Sequence, residues 1–373
     1  MKLAIYGSGR FGSFVGQMVE KSPYYGEEPL YIDNNPSASI SSGIVVTADV
    51  FAKEWMDRVD NVLVCSVDYR IRQEMVKSLL KVSFKNIYIV DHNVWYGKLP
   101  IFDNDGCFLS YVRKLEDVKP ILPYFEYHIT DYCNLKCKNC GHHSNEVKTM
   151  TFSSLDTFEE SLSGLADKFE NIETIRLLGG EPLLAPNIHE YADKVLQFFP
   201  MSRIKIVTNG LLLTKIRNAS SQYLSKHSNI EIQVTQYPPT RKKAEQIIAF
   251  CREKHINLSI SPPVEYFNVY GNHSSFENTP EAKDDVWRNC PLKDCHFLRE
   301  HRLFFCITAW VEEEYYGKDM SNASFDIVSG KESGWEILSK LENPYFLCTY
   351  CRSSFPQEKW SAPGYNINST DKC

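Results

Sequence analysis

The sequence predicts an α/β protein with an N-terminal parallel sheet, a central run of alternating strands and helices, and a small C-terminal region rich in cysteine. Three observations support this prediction. Short apolar runs alternate with helical stretches from residue 1 to about residue 285. A G-x-G-x-x-G turn follows the first apolar run, and two separate sets of cysteines occur later in the chain. Strands and helices that alternate at this spacing are typical of parallel sheets covered by helices.

Composition restricts the classes of function. The chain has 373 residues, a net charge of −6 and 12 cysteines. Its length is enough for two or three domains. No apolar run reaches the ~20 residues that span a membrane, and residues 1–7 lack the features of a signal peptide. No dense Lys/Arg block supports nucleic-acid binding. We therefore expect a cytoplasmic protein, with neither a membrane nor a nucleic-acid partner, whose cysteines bind metal rather than form disulfides.

Residues 1–118 are predicted to form a Rossmann-like domain that binds a nucleotide or sugar nucleotide. Gly7, Gly9 and Gly12 follow a short apolar strand and open a helix, and a second apolar run ends in Asp33. In dinucleotide-binding domains such glycines let the backbone approach a pyrophosphate, and the acidic side chain binds the ribose. NAD(P) or another nucleotide is therefore one candidate ligand of these four residues. A purely structural or docking role is the alternative.

Residues 119–285 repeat the strand–helix pattern, and each of the first four strands ends in polar or metal-binding residues. Strands are predicted at 124–130, 174–178, 203–208, 230–235 and 256–260. Ligands bind at the carboxyl ends of strands in such folds. The residues at these ends are Cys133, Cys137 and Cys140 after the first strand, Gly179, Gly180 and Glu181 after the second, Thr208 and Asn209 at the third, and Thr235 at the fourth.

The cysteines at the first strand end have the spacing C-x3-C-x2-C. Three thiolates can hold three irons of a [4Fe–4S] cube and leave the fourth iron without a protein ligand. An open metal position is what a catalytic metal site needs. A structural zinc site, completed by His142 or His143, is the alternative.

The cysteine triplet, followed about 40 residues later by Gly-Gly-Glu, resembles the radical S-adenosylmethionine (SAM) superfamily. The resemblance implies a partial (β/α)6 TIM barrel with a primary [4Fe–4S] cluster on the three cysteines and SAM on the open iron. It also implies that the Gly-Gly-Glu turn holds the amino group of SAM and that Thr208, Asn209 and Thr235 line the same site. The residue before the third cysteine is usually aromatic in this family, and here it is Asn139.

Residues 286–373 contain the second cysteine set: Cys290, Cys295, Cys306, Cys348 and Cys351. The sequence between Cys295 and Cys306 predicts a hairpin that places Cys306 beside Cys290. This region resembles the twitch or SPASM extension of radical SAM enzymes, which houses an auxiliary [4Fe–4S] cluster. Four of the five cysteines would bind it. The favoured set omits Cys295, an alternative set uses Cys295 and omits one of the last pair, and a zinc ribbon remains open.

The family resemblance implies a radical SAM oxidoreductase of dehydrogenase or epimerase type, reduced by a flavodoxin- or ferredoxin-type donor. The C-terminal cysteine arrangement looks like that of an aminocyclitol dehydrogenase, and the first domain looks like modules of bacterial glycan pathways. Both favour a small-molecule substrate: a sugar, a cyclitol or a nucleotide sugar, in glycan or natural-product biosynthesis. A peptide-modifying enzyme and a non-catalytic iron–sulfur redox sensor or assembly module are the alternatives. Arg176, His142 and His143 qualify as proton acceptors, but the sequence assigns no catalytic residue.

Overall fold

The computed structural model describes residues 2–25, 28–35, 43–269, 282–351 and 356–363. The chain divides into two compact units, Met1–Pro120 and Ile121–Cys373. The predicted boundary near residue 118 lies close to this division. The further boundary predicted near residue 285 separates parts of the second unit and stays a prediction.

The first unit is built on a six-stranded sheet in the order β3-β2-β1-β4-β5-β6. Its strands are β1 (Leu3–Tyr6), β2 (Leu30–Ile32), β3 (Ile44–Val46), β4 (Asn61–Val64), β5 (Ile87–Val90) and β6 (Val112–Lys114). Its helices are α1 (Arg10–Lys21), α2 (Ala48–Val50), α3 (Tyr69–Lys81) and α4 (Asn93–Gly97). The first five strands in this order are parallel, and β6 is antiparallel to β5. Every residue of β1 and β4 is buried, as expected for central strands with helices on both faces.

The glycine turn between β1 and α1 packs the helix closely against the strand. Gly7 has a φ of +106°, and a Cβ at Gly12 would lie 1.8 Å from the Gly7 carbonyl oxygen. The Asp33 carboxylate accepts hydrogen bonds from the backbone N–H and the hydroxyl of Ser8, both at 2.7 Å. Asp33 therefore ties the end of β2 to the glycine turn. Nucleotide binding by Gly7, Gly9, Gly12 and Asp33 stays a prediction.

The second unit contains an eight-stranded sheet in the order β11-β10-β9-β8-β7-β13-β14-β15, and β12 and β16 form a separate antiparallel pair. The strands are β7 (Ile121–Thr130), β8 (Asn171–Gly179), β9 (Arg203–Thr208), β10 (Ile230–Val234), β11 (Leu258–Ile260), β12 (Tyr266–Asn268), β13 (Phe297–Arg299), β14 (Arg302–Phe304), β15 (Ser324–Asp326) and β16 (Gln357–Lys359). Strands β7 to β11 are parallel and lie in chain order, as predicted for a partial barrel. Among the described residues this sheet is open, with β11 and β15 at its edges.

Helices connect the parallel strands of this unit, and further helices lie in its C-terminal part. The helices are α5 (Leu155–Lys168), α6 (Ile188–Phe198), α7 (Asn218–Lys226), α8 (Pro238–Arg241), α9 (Ala244–Glu253), α10 (Lys283–Asn289), α11 (Ile307–Glu314) and α12 (Gly334–Leu341). Ser154 caps α5 by accepting from the N–H of Thr157, and Ser333 forms a capping box with Glu336 at α12. None of the described helices is both long and apolar enough to cross a membrane.

The hairpin predicted after Cys295 is present as β13 and β14. Its two-residue turn is Glu300–His301, with φ angles of +45° and +66°. Positive φ at both positions is typical of a type I′ turn, in which glycine or asparagine is the usual residue. Strand β13 pairs in parallel with β7, the strand that leads to the first cysteine set. The hairpin therefore extends the same sheet that carries the central parallel strands.

Candidate active site

The first cysteine set lies in the loop that leaves β7. Lys136, Asn139 and His143 in this loop have positive φ angles of 49°, 57° and 53°. Three left-handed residues in eight positions turn the chain repeatedly, so that Cys133, Cys137 and Cys140 come from one compact loop. Cys133 and Cys137 are buried, and Cys140 is partly exposed.

The sulfur atoms of this loop accept several hydrogen bonds. The backbone N–H of Leu135 lies 3.4 Å from the Cys133 Sγ, and the Asn209 side-chain amide lies 3.9 Å from the same sulfur. The indole N–H of Trp360 lies 3.2 Å from the Cys137 Sγ. Donors aimed at cysteine sulfurs are a common feature of iron–sulfur sites, where they stabilise the charge of the thiolates.

Burial favours the protonated thiols in the metal-free loop. It raises the pKa of Cys133 to about 12, with a further contribution from the charge of Glu181. Burial also raises the pKa of Cys137, and Cys140 and Cys133 add to the increase. Because metal ligands must be thiolates, metal binding here would release protons.

The Gly-Gly-Glu turn leaves the strand next to this loop. The N–H of Gly180 donates to the Thr130 carbonyl at 2.8 Å, and the N–H of Glu181 donates to the Tyr132 carbonyl at 3.0 Å. A Cβ at Gly179 would lie 2.0 Å from the Thr130 oxygen, and one at Gly180 would lie 2.2 Å from the Tyr132 oxygen. Both glycines are therefore required by the close approach of the turn to the start of the cysteine loop.

The Glu181 side chain is fully buried and joins the ends of β8 and β9. Its carboxylate accepts from the Thr208 hydroxyl at 2.6 Å, from the N–H of Asn209 at 2.8 Å and from the N–H of Leu183 at 3.0 Å. Thr208 in turn is joined to Thr235, whose N–H donates to the Thr208 carbonyl at 2.9 Å. The structure thus brings together Gly179, Gly180, Glu181, Thr208, Asn209 and Thr235.

Asn209 links this acidic centre to the cysteine loop. Its side-chain N–H donates to the Asn134 side-chain oxygen at 2.8 Å, and its own side-chain oxygen accepts from the N–H of Leu211 at 3.0 Å. The Thr240 hydroxyl donates to the Asn209 carbonyl at 2.6 Å. A SAM contact by any of these residues stays a prediction.

The buried Glu181 carboxyl group gives a prediction for how the free energy of unfolding depends on pH. Burial raises the pKa of Glu181 to about 7 from an ordinary value of 4.5, despite its three donors. A raised pKa stabilises the fold below pH 4.5, and this contribution is lost as the pH rises through 7. Between these limits the metal-free wild type should lose about 3 kcal/mol of unfolding free energy relative to Glu181→Gln. Urea titrations at several pH values measure this difference, and parallel pH profiles would contradict it.

A second buried polar network connects the cysteine loop to the hairpin. His128 is fully buried, its Nδ1 lies 2.7 Å from Asp131 Oδ1, and its Nε2 lies 2.9 Å from His142 Nδ1. Arg299 of β13 donates to Asp131 Oδ2 at 3.0 Å. Burial would raise the pKa of Asp131, but the hydrogen bond and charge of His128, together with the charge of Arg299, lower it. Burial beside His128 and Arg176 holds the pKa of His142 well below 6.5, so His142 is neutral at pH 7.

The Arg299–Asp131 pair gives a prediction for stability. Both side chains are mostly buried, at 19% and 14% exposed, and loss of one partner leaves the other charge poorly compensated. Arg299→Met should therefore lower the free energy of unfolding by about 3 kcal/mol. The matched control is Arg288→Met, which removes an exposed pair with Asp285 and should cost less than about 1 kcal/mol. Equal urea midpoints for the two variants would argue against a structural role for Arg299.

The second cysteine set forms a separate cluster of side chains. Cys290, Cys306, Cys348 and Cys351 line one pocket, together with Trp287 and Tyr345. Burial raises the pKa of Cys348 to about 12, and the charges of Cys306 and Cys290 add to this. The Tyr345 hydroxyl lies 2.7 Å from the Cys306 sulfur. The hairpin therefore places Cys306 beside Cys290, as predicted.

Cys295 does not line this pocket. Burial raises its pKa to about 12, and the charge of Glu126 raises it further while Arg176 opposes this effect. Arg176 forms an ion pair with the buried Glu126 at 2.9 Å and donates to the Tyr124 hydroxyl at 2.9 Å. Cys295 thus lies beside a paired structural arginine, and the choice of four metal ligands among the five cysteines stays a prediction.

Comparison with known proteins identifies the family of the central part of the chain. Residues 127–262 match the radical SAM superfamily. These residues are a radical SAM domain. The match covers the cysteine loop, the Gly-Gly-Glu turn and strands β8 to β11.

Curated relatives align with short parts of the chain. GTP 3',8-cyclase of Trichodesmium erythraeum is 33% identical over 95 residues, which are 25% of this chain and 29% of that protein. Molybdenum cofactor biosynthesis protein 1 of Bos taurus is 35% identical over 95 residues, which are 25% of this chain and 15% of that protein. The chain thus spans less than a third of the length of these relatives.

The solved structures to which this chain is similar have low sequence identity. BtrN in complex with AdoMet and 2-DOIA is 16% identical, with coverage of 63% of this chain and 94% of that chain and a TM-score of 0.38. Native anSMEcpe with bound AdoMet is 19% identical, with coverage of 37% and 43% and a TM-score of 0.31.

Radical SAM domains use a [4Fe–4S] cluster and SAM, and the thiols of this domain fit such a cluster. The cysteine loop offers three thiols, and N–H donors from Leu135 in the loop and from Trp360 outside it reach two of the sulfurs. Among the described residues, no group of three His, Cys, Asp or Glu side chains has the geometry for a single metal ion. In a [4Fe–4S] cube, by contrast, each thiolate binds a different iron. Cys133, Cys137 and Cys140 would therefore hold the cluster of the radical SAM domain.

A polar cavity of about 250 Å³ adjoins this loop. It is lined by loop residues, by the end of the β12 segment and by α11, and its polar lining residues are Asn139, His143, Asn145, Glu146, Asn268, Thr308 and Tyr316. Thr308 also lines the pocket of the second cysteine set. The cavity and the pocket of the four C-terminal cysteines therefore share Thr308 of α11 as a lining residue.

Several residues of the site could not be found from the sequence. Asp131 and His128 precede the cysteines, but nothing in their local pattern shows that they contact each other or Arg299. Trp360 reaches Cys137 across a separation of 223 residues, and no periodic signal marks it. His142 and His143, the two histidines considered as proton acceptors, lie in different environments. His142 belongs to the buried polar network, whereas His143 lines the cavity.

Proposed function

We propose that this protein is a radical SAM enzyme that acts on a polar small molecule bound beside Cys140. The main support is the contact between two segments at adjacent strand ends of the radical SAM domain. Hydrogen bonds join the loop that contains Cys133, Cys137 and Cys140 to the Gly179–Gly180–Glu181 turn. When bound, the cluster and SAM supply a 5′-deoxyadenosyl radical, which removes a hydrogen atom from a C–H bond of the substrate.

The residues of the chain would bind the cluster and SAM, orient the reacting groups and shield them from water. The three cysteines would hold the iron, and Gly179, Gly180 and Glu181 would lie along the methionine part of SAM. Thr208, Asn209 and Thr235 would line the remaining wall. The apolar packing of Leu135, Leu211 and Tyr237 around Cys133 and Cys137 would exclude water from the reacting groups.

The cavity favours a hydroxylated substrate. Its lining contains amide groups, hydroxyl groups, one imidazole and one carboxylate, which match the donors and acceptors of a polyol. A sugar, a cyclitol or a nucleotide sugar fits this chemistry. The proposed reaction is oxidation or epimerisation of a carbinol carbon.

A nucleotide substrate is the second candidate. Several of the relatives are named GTP 3',8-cyclase, and a nucleotide also presents hydroxylated ribose carbons. Because the aligned part is less than a third of each relative, their substrate enters here only as a proposal.

The four pocket cysteines supply a way to complete an oxidation. Loss of one hydrogen atom from a carbinol leaves a radical, and a ketone forms when that radical gives up one electron to a second cluster and its hydroxyl proton to a base, for which the His143 imidazole in the cavity is the candidate. A [4Fe–4S] cluster on Cys290, Cys306, Cys348 and Cys351 would accept the electron. Thr308, which lines both the cavity and this pocket, supports a short path between them. A flavodoxin- or ferredoxin-type donor would reduce the primary cluster.

The three-part organisation remains part of this proposal. Residues 1–118 would bind a nucleotide or nucleotide-linked sugar, or serve in docking. Residues 119–285 would form the radical SAM core, and residues 286–373 would form the twitch- or SPASM-like region.

Deuterium transfer tests both the activity and the substrate class. The protein is reconstituted with iron and sulfide without oxygen, reduced with dithionite and mixed with SAM and perdeuterated candidates. Deuterium in 5′-deoxyadenosine from a sugar nucleotide or cyclitol supports the leading proposal, and deuterium from GTP supports the second candidate. SAM cleavage without transfer from any of them would reject both substrate classes. A protein that loads zinc instead of iron would reject the enzyme proposal.

A further inference from the structure

A segment near the C-terminus contacts the primary cysteine loop at several points. We propose that residues 356–363 form a strap over this loop, and that the Trp360 indole acts as a positioning residue that raises the reduction potential of the primary cluster. The inference rests on the proposed function, because it requires a cluster on Cys133, Cys137 and Cys140.

The strap holds the loop through charged and backbone contacts. Glu358 Oε2 accepts from Lys138 Nζ and from the Asn139 side-chain amide, both at 2.8 Å. The backbone N–H of Lys138 donates to the Ser361 carbonyl, also at 2.8 Å. The two loop residues between the second and third cysteines are therefore both fixed by the strap.

Trp360 reaches the metal-binding atoms themselves. Its indole N–H lies 3.2 Å from the Cys137 sulfur, and its ring stacks on Tyr237 with a centroid separation of 6.0 Å and an interplanar angle of 24°. Trp360, Phe267 and Ala362 pack against Cys133, Leu135 and Cys137. The ring thus covers the loop, and its polar edge points at one cysteine sulfur.

The strap is anchored independently of the loop. Strand β16 pairs with β12 over three residues, and the backbone N–H of Trp360 donates to the Glu265 carbonyl at 2.8 Å. Arg241 of α8 pairs with Glu265 at 3.3 Å. These contacts fix the position of the indole relative to the parallel sheet, so its hydrogen bond does not depend on a flexible side chain alone.

The direction of the effect follows from charge. Reduction adds one negative charge to a thiolate-bound cluster, and part of that charge is carried by the sulfur atoms. An N–H donor aimed at a sulfur stabilises the reduced cluster more than the oxidised one. Loss of the Trp360 donor should therefore make the cluster harder to reduce.

Redox titration of holoenzyme variants tests this effect. Trp360→Phe keeps an aromatic ring and removes the N–H, and Trp335→Phe in α12 is the matched control because it changes a buried tryptophan of the same unit. The primary cluster is identified as the one whose electron paramagnetic resonance signal changes on addition of SAM. We expect a lower midpoint potential in Trp360→Phe and an unchanged one in Trp335→Phe. Equal potentials in Trp360→Phe and wild type would overturn the role of the indole.

Two further measurements distinguish failure of the proposed function from failure of the strap proposal. A wild type without any SAM-responsive cluster would overturn the proposed function, whatever the variants do. If Trp360→Phe fails to load iron, alkylation of the metal-free protein replaces the titration. Glu358→Ala removes the contact to Lys138 and Asn139, and peptide mass spectrometry should then show several-fold faster iodoacetamide labelling of Cys137, with Cys251 as the internal reference. Unchanged labelling of Cys137 would overturn the strap.

Discussion

Cys137→Ala should form no detectable 5′-deoxyadenosine under conditions in which the wild type cleaves SAM. The loop supplies three thiols in all, so loss of one leaves a cube with two unligated irons. The decrease should exceed the ~10–100-fold loss typical when only an outer partner of a metal ligand is removed. Chromatographic quantification of 5′-deoxyadenosine, with iron content measured on the same samples, checks the prediction.

The control for this experiment is Cys251→Ala. Cys251 is a buried cysteine of α9 in the same unit and, among the described residues, is not part of the apolar cluster around Cys133 and Cys137. Its replacement should leave SAM cleavage within about twofold of wild type, since a small core truncation changes stability rather than the site. A Cys137→Ala protein that still cleaves SAM would refute the assignment of the primary cluster.

Cys306→Ala should remove one complete cluster while the other remains. In the proposed function the four pocket cysteines would form a closed ligand set, and a cube that loses one of four thiolates is not expected to survive reconstitution and gel filtration. Iron content should fall from about eight to about four atoms per chain. SAM cleavage should persist, because the primary loop is untouched, whereas the yield of an oxidised product should fall by at least about 10-fold.

Cys295→Ala is the decisive companion variant. Cys295 lies beside Glu126 and Arg176 and outside the pocket of the other four cysteines, so this change should leave iron content at the wild-type value. A loss of four irons in Cys295→Ala, with retention in Cys351→Ala, would instead establish the alternative ligand set. Zinc in the wild-type C-terminal region would exclude the auxiliary cluster altogether.

Much of the architecture follows from local sequence. The five central strands were predictable because each is a short apolar run that ends in polar or glycine residues, and all are present in the order expected for parallel crossovers. The hairpin at 297–304 was predictable from its alternation, although its turn contains Glu300 and His301 instead of glycine. The parallel pairing of β13 with β7 was not predictable, because a hairpin sequence does not specify which sheet edge it joins.

The candidate site, too, could be predicted only in part from the sequence. Spacing alone identified the three loop cysteines, since their role depends on neighbours three and four residues apart. It could not show that the Glu181 carboxylate is surrounded by Thr208, Leu183 and Asn209, or that Asp131 joins His128 to Arg299. Such networks depend on which strands are adjacent and on how deeply each is buried, and both are settled only by tertiary packing.

The strap also affects the order of events during synthesis. Trp360 follows Cys137 by 223 residues, which at 5–20 residues per second corresponds to roughly 10–45 s of translation. A nascent chain therefore exposes the complete cysteine triplet well before the indole that covers it exists. Iron acquired on the ribosome would enter a loop still open to oxygen and to competing metals. We expect stable cluster insertion to follow chain completion, so that ribosome-stalled chains ending before residue 356 retain little iron.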